Sequence, residues 1–122
     1  MNWLLRLARS LPAGWFIGWV FAHMSFAIPT KRLRETNTLV AFPHPSPTYP
    51  VHILLVPKKA VKSLTDLDNT DGAFLADLFQ TVQSLVGEMD LESTGYRLIA
   101  NGGKYQDVEQ LHFHLVSGDP LN

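Results

Sequence analysis

Near its C-terminal end the chain reads Glu109-Gln110-Leu111-His112-Phe113-His114-Leu115-Val116. Side chains alternate faces along an extended segment, so Gln110, His112 and His114 are expected on one side and Leu111, Phe113 and Leu115 on the other. The apolar row then faces a core, and the polar row presents two imidazoles. Rings so spaced can engage different oxygens of one phosphate, one attacking phosphorus while the other supports the leaving oxygen. Imidazoles also bind zinc, and His52, His112 and His114, with His44 as a fourth ligand if its loop folds over the strand, form a second reading. A half-exposed sheet face that merely holds two histidines is a third. With no cysteine in 122 residues, disulfides, thiolate metal sites and thiol nucleophiles are excluded.

These residues need a scaffold, and the pattern upstream supplies one. Residues 36–42 read as a short strand, and 43–50 as a rigid loop, because four of its eight residues are proline. Val51 to Val56 is a β-branched and apolar run stopped by Pro57, a strand buried on both faces. Lys58, Lys59 and Lys62 follow in a polar turn, read as a solvated stretch that discourages edge pairing. Between Asn69 and Asp90, apolar residues at Phe74, Leu75, Leu78, Phe79, Val82, Leu85, Val86 and Met89 have the spacing of an amphipathic helix. Asn69 or Thr70 is the expected cap, with Asp71 in the first turn. Strands are expected again over 96–100 and 109–117, separated by a turn at 101–103. The class is α+β, with a mainly antiparallel sheet and one main helix.

The chain is long enough for one core and too short for two ordinary domains. Its net charge of -1 creates no field that would select nucleic acid. The charge is uneven, local +4 over residues 1–35 and local -5 over the rest. No charged residue falls between Ser10 and Thr30, and Leu11 to Ile28 is mostly apolar, close to the ~20 residues a spanning helix needs. Residues 1–28 are therefore expected as an additional apolar helix ahead of a domain at 29–122. Trp15, Trp19 and the flanking basic residues suit a membrane anchor. Pro12, Gly14, Gly18, His23 and Ser25 suit a helix packed on protein, and Ser25-Phe26-Ala27 has the form of a signal-cleavage site. All three readings stay open, and the expected location is the cytoplasm, with membrane association as the alternative.

The segment Gln-x-His-x-His-Leu-Val resembles the signature of the histidine triad (HIT) superfamily. Upstream, I-P-T-K at 28–31, L-V-A-F at 39–42, S-P at 46–47, P-V-H-I-L-L-V-P-K-K at 50–59, G-Y-R-L-I-A-N at 95–101 and Q-D-V at 106–108 resemble its Hint-like branch in order and spacing. This resemblance implies a HIT-like fold with a five-stranded sheet. It implies that His112 attacks the α-phosphorus of a nucleotide to give a covalent nucleotidyl-histidine, that His114 binds the phosphate, and that His52 stands beside them. A neutral imidazole nucleophile needs its other nitrogen held as a donor, and a carbonyl near Gln110 could accept from it. Asn101 corresponds to an asparagine near the phosphate, Phe42 to a wall of the base pocket, and Asp107 and Val108 to the nucleotide-binding loop. No cofactor is required, and the resemblance implies a homodimer sharing one continuous sheet; the second apolar stripe of the helix, with Phe79, points the same way.

The chain departs from the family pattern at four places. Gln110 replaces the first histidine; it can hydrogen-bond but cannot relay a proton. His44 stands where an aspartate usually binds ribose hydroxyls, Asp107 where a phosphate-binding serine is expected, and Ala60 where a histidine follows Pro-Lys-Lys. An anion at 107 repels phosphate unless paired or turned away. The functional expectation is a hydrolase or nucleotidyl transferase acting on nucleoside phosphoramidates or related nucleotides. The alternatives are a non-catalytic nucleotide- or phosphate-binding module, tethered or not, and the zinc site.

Overall fold

A computed structural model describes residues 32–122. The apolar helix expected over 1–28, with its packed, membrane-bound and cleaved readings, lies outside the described residues. Five strands form one antiparallel sheet: β1 (Arg34–Glu35), β2 (Leu39–Pro43), β3 (Val51–Pro57), β4 (Arg97–Ala100) and β5 (Phe113–Ser117), in the order β1-β2-β3-β5-β4. Helices α1 (Gly72–Glu88) and α2 (Leu91–Thr94) connect β3 to β4. The α+β architecture with five strands and one main helix is the one expected. Among the described residues, no helix is long and apolar enough to cross a membrane.

Alternation builds the core. Leu39 and Ala41 from β2, Ile53 and Leu55 from β3, and Phe113 and Leu115 from β5 meet Phe74, Leu78, Val82, Leu85 and Val86 of α1 in one buried cluster. The helix residues recur at three- and four-residue spacing and so share one stripe. Each such side chain contributes roughly 1.5–3 kcal/mol by leaving water. Phe79, on the second apolar stripe that points to a homodimer, is 56% exposed in the single chain.

Several boundaries differ from those the sequence suggests, each for a local reason. The strand expected over 36–42 begins at Leu39, because the Thr36 hydroxyl accepts from the amides of Thr38 and Leu39 and closes a turn that returns the chain from β1. Helix α1 is preceded by a 3-10 turn, Asn69–Asp71, capped by neither Asn69 nor Thr70. Asp68 accepts from the Thr70 amide and Asp71 from the Asp68 amide, a reciprocal capping box. The strand expected to start at Glu109 starts at Phe113. The preceding residues bond elsewhere: the Leu111 amide donates to Val61 O at 2.7 Å, and the Val61 amide to Gln110 Oε1 at 3.2 Å.

The proline-rich loop after β2 has no regular structure, as expected, yet it is held at several points. Leu121 N–H donates to Thr48 O at 2.8 Å, bringing the C-terminal residues over the loop. Gly118 makes that path feasible: its φ is +89°, and a Cβ there would lie 2.7 Å from Pro50 Cγ.

Candidate active site

The sheet face opposite α1 carries the histidines. Phe42, Leu54, His114 and Ile99 are lateral neighbours across β2, β3, β5 and β4. His52 lies two residues before Leu54 on β3, and His112 immediately precedes β5. The rings of His112 and His114 stand with centroids 5.0 Å apart. His52 lies 5.1 Å from His114, and His44, just beyond β2, lies 4.3 Å from His52 and 6.1 Å from His114. Four imidazoles from the ends of three strands therefore form one cluster.

Their protons can be placed from partners that have only one role. Gln110 O can only accept, so His112 Nδ1, 2.8 Å away, carries the hydrogen and Nε2 is the unprotonated nitrogen. The Thr48 amide can only donate, so His52 Nδ1, 3.1 Å away, accepts it and His52 carries its proton on Nε2. His52 Nε2 then donates to His114 Nδ1 at 2.9 Å, which leaves the His114 proton on Nε2. His114 Nε2 is buried and has no hydrogen-bond partner among the described residues. The cluster thus sets an unprotonated ring nitrogen of His112, a nucleophile for phosphorus, beside an unsatisfied N–H of His114, a donor for an anionic oxygen.

Burial keeps all four rings neutral at neutral pH. Desolvation pushes His114 down to about 3, with the neighbouring imidazoles His112, His52 and His44 adding to the effect. His44 falls to about 4, again from burial first and then from His52 and His112. His52 is lowered by burial. His112 is also lowered by burial, but the Gln110 carbonyl and the Asp107 carboxylate oppose the shift. Asp107 therefore acts on the proposed nucleophile while remaining exposed.

The other residues singled out from the sequence occupy varied positions. Gln110 is fully buried, and its amide bonds the backbone at Val61, Lys59 and Leu111; it reaches His112 through its main-chain carbonyl. Phe42 is buried on the imidazole face, two strands from His114. Val108 is buried and its carbonyl accepts from the Gln106 amide. Asn101 follows the last residue of β4, which pairs with Phe113. Lys58 and Lys59 form ion pairs with Glu35 and Asp71, at 2.8 and 3.0 Å. Sequence reasoning did not find Thr48, whose amide orders the His52–His114 pair; a loop threonine carries no signal of that kind. Among the described residues no group of three or more His, Asp or Glu is arranged to hold a metal ion.

Comparison with known proteins identifies the family and agrees with the fold. An uncharacterized HIT-like protein of Buchnera aphidicola is 31% identical over 97 residues, which span 78% of this chain and 87% of that protein. The crystal structure of a HIT family hydrolase from Legionella pneumophila superposes with a TM-score of 0.69 at 29% identity, covering 80% of this chain and 88% of that one. A histidine triad nucleotide-binding protein from Candida albicans superposes with a TM-score of 0.69 at 25% identity, over 88% of this chain and 78% of the other. Residues 25–121 match the HIT domain, and with the sheet, the paired imidazoles and these relatives in agreement, the chain belongs to the HIT family.

Proposed function

We propose that this protein is a nucleotide hydrolase or nucleotidyl transferase that cleaves phosphorus–nitrogen or phosphoanhydride bonds through a covalent nucleotidyl-His112. His112 Nε2 attacks the α-phosphorus; the new N–P bond forms as the bond to the leaving phosphate or amine breaks, a leaving amine taking its proton from solvent. Nδ1–H, held by Gln110 O, keeps the ring oriented as it gains positive charge. The buried N–H of His114 meets the phosphoryl oxygen on which charge accumulates. Water then displaces His112 and releases the nucleoside monophosphate. The relatives named as a hydrolase and as a nucleotide-binding protein support the substrate class.

The observation that carries this reading is the 2.8 Å bond from His112 Nδ1 to Gln110 O, because it leaves the nucleophilic nitrogen unprotonated. It is tested by incubating the protein with an adenosine phosphoramidate. His112→Ala is expected to lower turnover on the order of 10³-fold or more, with the unfolding transition retained. Turnover unchanged in the variant removes His112 as nucleophile. Nucleotide binding without turnover in the wild type leaves a binding module. The same reading includes a homodimer, supported by the position of β4 at the end of the sheet and by the exposure of Phe79.

A further inference from the structure

The reaction above uses His112 and His114, His52 donates to His114, and His44 is left without a task. Its placement is nonetheless closely defined. Pro43 and Pro45 flank it and restrict the backbone on both sides. Its own amide donates to His52 O at 2.8 Å, and its ring lies near-parallel to that of His114, at 23°. The Ser46 amide donates to His44 Nδ1 at 2.9 Å, so the neutral ring carries its proton on Nε2. No hydrogen bond to that Nε2 is found among the described residues. The ionisable groups acting on His44 are themselves imidazoles, His52 and His112.

A neutral imidazole held in this way can donate at Nε2 and cannot accept there. It therefore has no means of taking the protons of a sugar diol. His44 and His114 instead offer two N–H groups within one cluster; that of His114 is buried without a partner, and that of His44 stands beside it with no hydrogen bond among the described residues. We propose that His44 is a specificity-determining residue that donates to a second phosphoryl group beside the reacting one, so that the preferred ligand carries two neighbouring phosphoryl groups. This rests on the reading of the cluster as a phosphoryl site.

The test is calorimetric binding of inorganic phosphate and of pyrophosphate at neutral pH. The wild type is expected to prefer pyrophosphate. His44→Ala weakens pyrophosphate roughly tenfold, one charge-assisted hydrogen bond, and leaves phosphate within about twofold. His44→Gln, which keeps an N–H donor, recovers most of the loss. A second measurement needs no variant: in imidazole ¹⁵N spectra, pyrophosphate shifts His44 Nε2 and phosphate does not. Equal weakening of both anions in His44→Ala, no weakening of either, or absence of the spectral shift overturns the proposal. So does failure of the wild type to bind either anion. In every such case, turnover of the phosphoramidate by the same preparation shows whether the phosphoryl reading survives; its loss would defeat both.

Discussion

Gln110 is fully buried and His114, four residues on, is half-buried with its Nε2 out of reach of solvent, and the fold treats their polar atoms in opposite ways. Around Gln110 the polar atoms are matched: Oε1 accepts from Val61 N, and Nε2 reaches the carbonyls of Lys59 and Leu111. Around His114 one nitrogen is matched and the other is left bare. A buried donor without a partner costs about 1–3 kcal/mol, so folded chains rarely keep one unless a ligand completes it. The matched amide ties the chain ahead of β5 to the segment after β3 and holds the sheet together. In the proposed reaction the bare N–H is the donor to the phosphoryl oxygen.

Exchanging these roles by mutation would break the comparison. The largest effect is expected for His114→Ala, a fall in kcat on the order of 10²–10³-fold, as for loss of an oxyanion donor. Its stability should stay within about 1 kcal/mol of the wild type, because removing an unpaired donor offsets the lost packing and water entering the space left by the ring accepts from His52 Nε2 in place of His114 Nδ1. Gln110→Leu should behave in reverse. Leaving the Val61 amide without an acceptor costs about 2 kcal/mol, while kcat/KM stays within about threefold, since the anchor of His112 is a main-chain carbonyl. Steady-state kinetics and urea unfolding on both variants measure the two effects; a large kinetic defect in Gln110→Leu would contradict the division.

The smallest effect sharpens the comparison through pH. All four clustered histidines are held below their ordinary 6.5, so as pH falls the unfolded chain takes up protons before the folded one. Their contribution to stability is complete above 6.5 and is lost as pH falls through about 4 and about 3, where His44 and His114 charge. The lowered carboxylates of Glu35, Asp68 and Asp71 keep their contribution above their ordinary 4.5 or 3.8 and begin to lose it only below those values. Unfolding followed between pH 6.5 and 4.5 should therefore show a loss that His44→Gln reduces and Gln110→Leu leaves in place. An unchanged slope in His44→Gln would mean that the ring is not buried among its neighbours.

Legibility varied with the range of the interaction. The α1 stripe and the paired orientation of His112 and His114 follow from local periodicity, and both are seen. The residues before Phe113 do not continue the strand, because Gln110 and Leu111 bond a segment some fifty positions away. The capping box escaped for a smaller reason: Asp68, Asn69, Thr70 and Asp71 are all competent caps, and only the backbone path selects between them. Asp107 could be read as an anion near the site, but its influence on His112 is a matter of tertiary distance.

By itself the amino-acid order determined which chemistry was available: imidazoles without thiols, two of them projecting together beside an apolar row. Only the folded chain decided their protonation. The amides of Thr48 and Ser46 and the carbonyl of Gln110 assign each ring its tautomer, and burial holds the rings neutral. A ring's donor and acceptor nitrogens depend on which backbone group stands opposite, and that is set by strands and loops meeting across the sheet.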